Sequence, residues 1–280
     1  MTEEHLLDRA VDWLRRADAL LIGAGAGMGV DSGLPDFRGN EGFWNAYPPF
    51  CKLGLSFIEL ANPRWFRDDP QLAWGFYGHR RNLYRATQPH AGFALLRSWA
   101  ERMSLGAAVF TSNVDGHFQH AGFDSARIYE VHGSLNWLQC TRNCGAGVFA
   151  ANASAIDIDE TTFRAREPLP RCPACGALAR PNVLMFGDYG WDSSRAAPQE
   201  QRLAEWLSAL GDLALVVIEC GAGTAIPTVR RFCERMATMN HGRLIRINLR
   251  EPDVPPGHIG LSMGALAALR ELDARLTCSK

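Results

Sequence analysis

Short apolar runs alternate with helix-like segments along most of the chain. Runs with the length and composition of β-strands cover residues 19–25, 107–113, 127–133, 213–221 and 243–249. Between them lie segments with helical character, such as HAGFALLRSWAERM and PTVRRFCERMATMN. Strands of continuous apolar character that are separated by helices are typical of a parallel sheet with both faces covered. The pattern therefore predicts an α/β fold built on such a sheet.

Two segments interrupt this alternation. Residues 40–86 are helix-like and rich in aromatic side chains, and residues 138–180 carry clustered cysteines around a polar, acidic middle. We expect both to be insertions that together form a smaller second domain. The main domain is then discontinuous and comprises residues 1–39, 87–137 and 181–280.

The first predicted strand runs into a glycine-rich stretch. Five glycines occur within GAGAGMGVDSG, and Asp36, Phe37 and Arg38 follow. Glycines beside a strand have no side chain, so their backbone N–H groups can approach the oxygens of a nucleotide pyrophosphate. The ordinary dinucleotide fingerprint would need a third glycine where Val30 stands. We therefore expect a nucleotide that is held differently from the way a dehydrogenase holds it.

Polar side chains follow the other strands at the same edge of the sheet. Ser112, Asn113 and Asp115 follow the second strand. Asn113 and Asp115 together could hold a carboxamide and a ribose, or the stretch could cap the next helix as an Asx turn. His132 ends the third strand and is either a structural histidine or a general base suited to neutral pH. The last two strand ends carry small or amide residues, which are Gly221, Ala222, Gly223 and Asn248.

Composition narrows the class of protein. A net charge of −1 gives no support to binding of nucleic acid or of an anionic membrane. No run approaches the roughly 18 apolar residues of a membrane span, and the charged N-terminus lacks the features of a secretory signal. We expect a cytoplasmic protein with no membrane partner.

Four of the eight cysteines are clustered in sequence: Cys140, Cys144, Cys172 and Cys175. In a reducing compartment such clusters indicate metal rather than disulfides. Four thiolates fill the tetrahedral shell of zinc and leave no open position, so the spacing predicts a structural zinc site. Two unrelated cysteine pairs are the alternative.

Taken in order, these motifs resemble the sirtuin family of NAD-dependent protein deacylases, in its bacterial type. GAGAGMGVDSGLPDFRG (23–39) is similar to the glycine-rich NAD motif of that family, and TSNVD (111–115) is similar to its TQNID. EVHGS (130–134) resembles the segment with its catalytic histidine, and RPNVLMFGD (180–188) resembles its substrate-binding strand. The matches span about residues 20–250.

The resemblance implies a Rossmann-like large domain and a small domain with a helical module (40–86) and a structural zinc module (138–180). NAD is the implied co-substrate, and proteins that carry acyl-lysine are the implied partners. The implied reaction passes the acyl group to ADP-ribose and releases nicotinamide.

The resemblance also implies roles for individual residues. His132 is the implied general base, with Asn113 and Asp115 as catalytic partners, and Val183 and Phe186 border the acyl-lysine tunnel. The implied NAD contacts come from both glycine turns and from polar strand ends, namely Gly25, Ala26, Gly27, Asp36, Phe37, Arg38, Ser112, Asn113, Asp115, Gly221, Ala222, Gly223 and Asn248.

Three positions depart from the family pattern. Ser112 replaces a glutamine, Gly29 replaces a serine, and Ala222-Gly223 replaces Thr-Ser. The departures remove groups that contact NAD, so a protein ADP-ribosyltransferase or an NAD hydrolase on the same fold remains the alternative function.

Tyr77 and Arg80 lie one helical turn apart in AWGFYGHRRNLY. The stretch is similar to W-x-FY-x-x-RR in sirtuins that remove succinyl or malonyl groups, where Tyr and Arg bind the distal carboxylate. The planar guanidinium of arginine suits that task because it pairs with a carboxylate through two hydrogen bonds. The alternative is a packed tyrosine beside a solvated arginine, and Arg81 offers a competing register.

Overall fold

The computed structural model describes residues 2–35, 51 and 54–278. The strands of this part are, in chain order, β1 (Ala19–Ala24), β2 (Ala107–Thr111), β3 (Ile128–Glu130), β4 (Gly133–Cys140), β5 (Val148–Ala150), β6 (Ile158–Asp159), β7 (Arg164–Ala165), β8 (Ala179–Val183), β9 (Leu215–Cys220), β10 (Arg243–Ile247) and β11 (Ile259–Leu261). The α-helices are α1 (Glu3–Arg15), α2 (Phe57–Leu60), α3 (Trp65–Asp68), α4 (Pro70–Ala86), α5 (Ala91–Ala100), α6 (His117–His120), α7 (Ala196–Ser208), α8 (Thr228–Met239) and α9 (Ala265–Thr277). Short 3-10 helices cover Ala26–Ser32 and Ser125–Arg127.

Six strands form one parallel sheet in the order β11-β10-β9-β1-β2-β3. Side chains alternate between its two faces: Leu20 and Ile22 of β1 pack with α1, α5 and α9, whereas Ala19 and Leu21 pack with α7 and α8. Both faces are therefore covered by helices. The predicted α/β fold with a parallel sheet is confirmed.

The strand order places the candidate site. β1 lies between β9 and β2, and the chain leaves β1 toward one side of the sheet and β9 toward the other. At such a switch point the loops diverge, and a crevice opens outside the carboxyl ends of the two strands. The glycine-rich turns after β1 and β9 both lie at this crevice.

A second core lies beside the sheet. It joins α4 to the three-stranded antiparallel sheet β5-β4-β8 and to the β6-β7 hairpin. Trp74 of α4 is fully buried and donates its indole N–H to the carbonyl of Ala179 at 2.9 Å. The helical and cysteine-bearing segments thus share one core, which supports our proposal that residues 40–86 and 138–180 form one small domain.

Among the described helices, none combines the length and the apolar character that crossing a bilayer requires.

Candidate active site

The two glycine-rich turns pack directly against each other. The N–H of Gly25 donates to the carbonyl of Cys220 at 3.0 Å, and the N–H of Gly27 donates to that of Gly221 at 3.1 Å. A Cβ on Gly27 would lie 2.7 Å from the Cα of Gly221, and one on Gly25 would lie 2.7 Å from the Cα of Ala222. The glycines are therefore required for contact between the two turns, in addition to any approach of a phosphate.

A cavity of about 500 Å³ opens beside these turns, between the sheet and the second core. The predicted site residues that line it are Gly25, Ala26, Tyr77, Arg80, Ser112, Asn113, Asp115, His132, Val183, Phe186, Gly221, Ala222 and Gly223. Two predicted residues do not line it, namely Gly27 and Asn248. The remaining ones, Asp36, Phe37 and Arg38, lie outside the described residues.

His132 follows β3 and projects into this cavity. Burial lowers the pKa of the His132 imidazole, and the backbone of Ser112 acts in the opposite direction. A neutral imidazole keeps a lone pair on one of its ring nitrogens. The ring is therefore prepared to act as a base.

Asn113 and Asp115 are fixed by short local hydrogen bonds. The Asn113 amide donates to the carbonyl of Gly25 at 3.0 Å, and Asp115 Oδ1 accepts from the N–H of His117 at 2.8 Å. The Asx turn therefore forms at Asp115, but both side chains also line the cavity. Burial raises the pKa of the Asp115 carboxyl, while His117 and Arg80 act in the opposite direction.

Helix α4 brings Tyr77 and Arg80 to the same cavity. Tyr77 is 1% exposed, and burial raises the pKa of its hydroxyl. Arg80 Nε donates to the hydroxyl of Tyr84 at 3.1 Å, and its guanidinium lies 5.2 Å from the ring centre of Phe76. Arg81 points away and donates from Nη1 to the carbonyl of Ser154 at 2.9 Å. Of these two arginines, it is therefore Arg80 that lines the cavity.

Val183 and Phe186 form a part of the cavity wall, in a turn held by a buried ion pair. Arg180 and Asp188 pair through two hydrogen bonds of 2.7 and 2.9 Å, and their side chains are 4% and 1% exposed. Asp188 also accepts from the N–H of Met185 at 3.3 Å. This wall is therefore rigidly positioned relative to β8.

The loop after β9 is held from the end of β10. Asn248 donates from Nδ2 to the carbonyl of Ala222 at 2.8 Å and accepts from the N–H of Glu251 at 3.0 Å. Glu251 in turn accepts from the hydroxyl of Thr224 at 2.5 Å. Thr224 and Glu251 line the cavity, although the sequence interpretation did not include them. Only their position next to Gly223 and Asn248 could have suggested them.

The four clustered cysteines come together at the far ends of β4 and β8. Their sulfur atoms all lie within 4.8 Å of one another, and the Cys140–Cys175 and Cys144–Cys172 pairs are each 3.6 Å apart. Zinc–sulfur bonds of about 2.3 Å in a tetrahedron place sulfurs about 3.8 Å apart. The cluster therefore fits a structural zinc ion, and the alternative of two unrelated pairs is excluded.

Comparison with known proteins agrees with this geometry. The sequence matches the model of the Sir2 family over residues 25–217. It is 32% identical to an NAD-dependent protein deacylase of Pyrococcus abyssi, over 83% of this chain and 82% of that protein. It is also 32% identical to NAD-dependent protein deacylase 2 of Pyrobaculum aerophilum, over 88% of this chain and 85% of that protein.

Among solved structures, a mutant Sir2 homologue in complex with ADP ribose is similar, with a TM-score of 0.72 and 27% identity. The alignment covers 97% of each chain. A second mutant of a Sir2 homologue, also with ADP ribose, gives a TM-score of 0.70 and 26% identity over 98% of this chain and 99% of that one. The predicted resemblance is confirmed: the chain belongs to the Sir2 family.

Proposed function

We propose that this protein is an NAD-dependent protein lysine deacylase, which passes the acyl group to ADP-ribose and releases nicotinamide. The observation that carries the proposal is one cavity lined by His132, Asn113 and Asp115 together with both glycine turns. NAD supplies, when bound, the ribose carbon that loses nicotinamide and the hydroxyls that receive the acyl group. Side chains of this protein bind and orient the reactants and transfer the proton, as follows.

Asp115 and Asn113 orient the nicotinamide half of NAD. An ionised Asp115 accepts hydrogen bonds from the carboxamide N–H groups, since a carboxylate is an acceptor only. Asn113, held against the carbonyl of Gly25, helps to position the ribose and a water. Both residues lie at the carboxyl end of β2, so their placement follows from the sheet.

His132 removes a proton from a ribose hydroxyl. The lone-pair nitrogen of its neutral imidazole accepts that proton. The lowered pKa keeps the ring unprotonated at neutral pH, as a general base requires.

Val183 and Phe186 border the path of the acyl-lysine, and the substrate segment lies extended between this wall and the loop 221–226. Proteins with acyl-lysine are therefore the proposed partners. Eight unpaired cysteines, four of them placed to hold zinc, suit a reducing compartment and support a cytoplasmic location.

We further propose that the enzyme accepts acyl groups with a distal carboxylate, such as succinyl or malonyl, as well as acetyl. Tyr77 and Arg80 lie one turn apart on α4 and line the same cavity as Val183. Arg80 supplies a fixed positive charge, and Tyr77 supplies a neutral hydroxyl donor because burial raises its pKa. Both groups complement a carboxylate.

Release of nicotinamide from NAD tests the deacylase proposal. The protein is assayed with no peptide, with an acetyl-lysine peptide and with a succinyl-lysine peptide, next to His132→Ala. We expect release only with acylated peptide, and loss of peptide deacylation in the variant. Equal release of nicotinamide without peptide would contradict the deacylase proposal and indicate an NAD hydrolase. Labelled ADP-ribose attached to protein would indicate an ADP-ribosyltransferase.

The ratio of succinyl to acetyl activity tests the acyl preference. Arg80→Met removes the charge, and Tyr77→Phe removes only the hydroxyl. We expect both to raise the KM for succinyl-lysine by about tenfold or more and to change the KM for acetyl-lysine little. An equal effect on both peptides would contradict carboxylate recognition by this pair.

A further inference from the structure

Arg230 is a buried arginine that the proposed reaction does not use. It lies in the first turn of α8, and 8% of its surface is exposed. A positive charge is unfavourable there, because the free backbone N–H groups of the first turn already form the positive end of the helix dipole. The stability of α8 therefore does not explain an arginine at this position.

The guanidinium of Arg230 joins two loops. Its Nη1 donates to the carbonyl of Ala222 at 3.3 Å and to that of Glu251 at 3.0 Å, and its Nη2 donates to the carbonyl of Asp253 at 2.8 Å. Ala222 belongs to the loop after β9, whereas the other two carbonyls belong to the loop after β10. One planar group thus fixes the distance between the backbones of two strand-end loops.

The same two loops line the cavity. Thr224 of the first loop and Glu251 of the second are joined by a hydrogen bond and both face the cavity, whereas Arg230 does not line it. The amide of Asn248 supplies a further link, because it also donates to the carbonyl of Ala222. Arg230 therefore affects the cavity through the positions of the loops and not through a contact of its own.

The order of the strands separates the two ends of the cavity. Asn113, Asp115 and His132, to which the proposed function gives the nicotinamide half of NAD, follow β2 and β3. β9 and β10 lie on the other side of β1. Because a dinucleotide crosses the carboxyl ends of the strands of such a sheet, we expect its adenosine half at the loops after β9 and β10.

The loop after β9 offers few side-chain groups to a nucleotide. Ala222 and Gly223 carry no polar side chain. Much of the contact must then come from backbone groups, which can bind only while the loop is held in one arrangement. If only a fraction of the molecules has that arrangement, the apparent dissociation constant rises as the inverse of the fraction.

We propose that Arg230 is a positioning residue for NAD, whose guanidinium holds the loops after β9 and β10 in the arrangement that receives the adenosine half. This inference rests on the proposed function, since it takes NAD as the co-substrate. It predicts that the affinity for ADP-ribose depends on Arg230, although Arg230 does not line the cavity.

Binding of ADP-ribose, measured by isothermal titration calorimetry, tests the proposal without catalysis. Arg230→Lys keeps the positive charge but loses the planar group with its several donors, and Arg230→Met also removes the charge. Arg231→Met, at an exposed position of the same helix, is the matched control. Thermal unfolding of each free variant shows whether the fold is retained.

We expect both Arg230 variants to bind ADP-ribose about tenfold or more weakly, and the KM for NAD to rise by a similar factor while kcat falls less. Arg231→Met should bind ADP-ribose as the wild type does. If Arg230→Met does not fold, Arg230→Lys decides by itself.

A merely structural role would lower the melting temperature of the free variants and leave the dissociation constant of the folded ones unchanged. An ADP-ribose affinity of folded Arg230→Lys equal to that of Arg231→Met would therefore overturn the inference, with the deacylase proposal intact. A wild-type protein that binds neither NAD nor ADP-ribose would instead overturn the proposed function, and this inference with it.

Discussion

Replacement of Asp188 by asparagine tests how the acyl-lysine wall is held. Asp188 is 1% exposed as a side chain and forms two hydrogen bonds with the buried guanidinium of Arg180. It also accepts from the N–H groups of Met185 and Gly190 and so closes the turn that contains Phe186. The Asp188→Asn variant retains the shape of the side chain but leaves the Arg180 charge uncompensated.

Loss of one partner of a buried ion pair typically destabilises a protein by about 3–5 kcal/mol. For a chain of this size each kcal/mol lowers the melting temperature by roughly 2–4 °C, which gives a decrease of about 6–20 °C. The cavity wall should also loosen. We therefore expect the KM for an acyl-lysine peptide to rise more than kcat falls.

Differential scanning calorimetry and steady-state kinetics measure both effects. Asp8→Asn is the matched control, because it breaks an ion pair with Arg275 whose Asp side chain is 65% exposed, and exposed pairs contribute little. Arg180→Met combined with Asp188→Leu should recover part of the lost stability, since no charge then remains unpaired. A melting temperature of Asp188→Asn equal to that of Asp8→Asn, with an unchanged KM, would refute the reasoning.

Three further predictions concern the base, the zinc site and the glycine turns. Burial lowers the pKa of His132, so its unprotonated form persists to lower pH. We therefore expect kcat/KM to reach half its maximum at a pH below the ordinary histidine pKa of about 6.5. A midpoint above neutrality would contradict this prediction. Removal of zinc by a chelator, or the Cys172→Ala variant, should lower both the metal content and the melting temperature, because the cysteines join the ends of β4 and β8. An unchanged melting temperature after complete loss of the metal would count against a structural role. Gly221 has a φ of +63°, and Gly221→Ala places a Cβ 2.3 Å from the backbone of Gly27, so we expect much weaker NAD binding. The control Gly211→Ala also has a positive φ, of +51°, but its Cβ would lie in open space, so we expect it to change only the stability.

Much of the fold could be predicted because apolar runs and strands coincide. The expected runs 19–25 and 213–221 contain β1 and β9, with small errors at their ends. The errors at the strand ends have a physical cause. The hydrogen-bonded strands β2 and β3 end before Asn113 and His132, whose side chains line the cavity. Hydropathy alone cannot show where that departure begins.

The placement of site side chains could be predicted where one helix or strand carries all of them. It could not be predicted where side chains from separate elements come into contact. Helical spacing put Tyr77 and Arg80 on one face, but only packing of α4 against residues 152–154 decides that Arg81 points away. The hydrogen bond from Thr224 to Glu251 joins residues 27 positions apart in two loops, and nothing local in the sequence indicates it. Likewise, the contact of Gly27 with Gly221 depends on the neighbouring positions of β1 and β9.

The most direct test of the deacylase account is the product stoichiometry of a single reaction. Mass spectrometry would quantify nicotinamide, the free-lysine peptide and acylated ADP-ribose after incubation of the enzyme with NAD and an acyl-lysine peptide. We expect equal amounts of the three products, and neither the free-lysine peptide nor acylated ADP-ribose with His132→Ala. Nicotinamide accompanied by unacylated ADP-ribose or by ADP-ribosylated peptide, while the peptide keeps its acyl group, would contradict it.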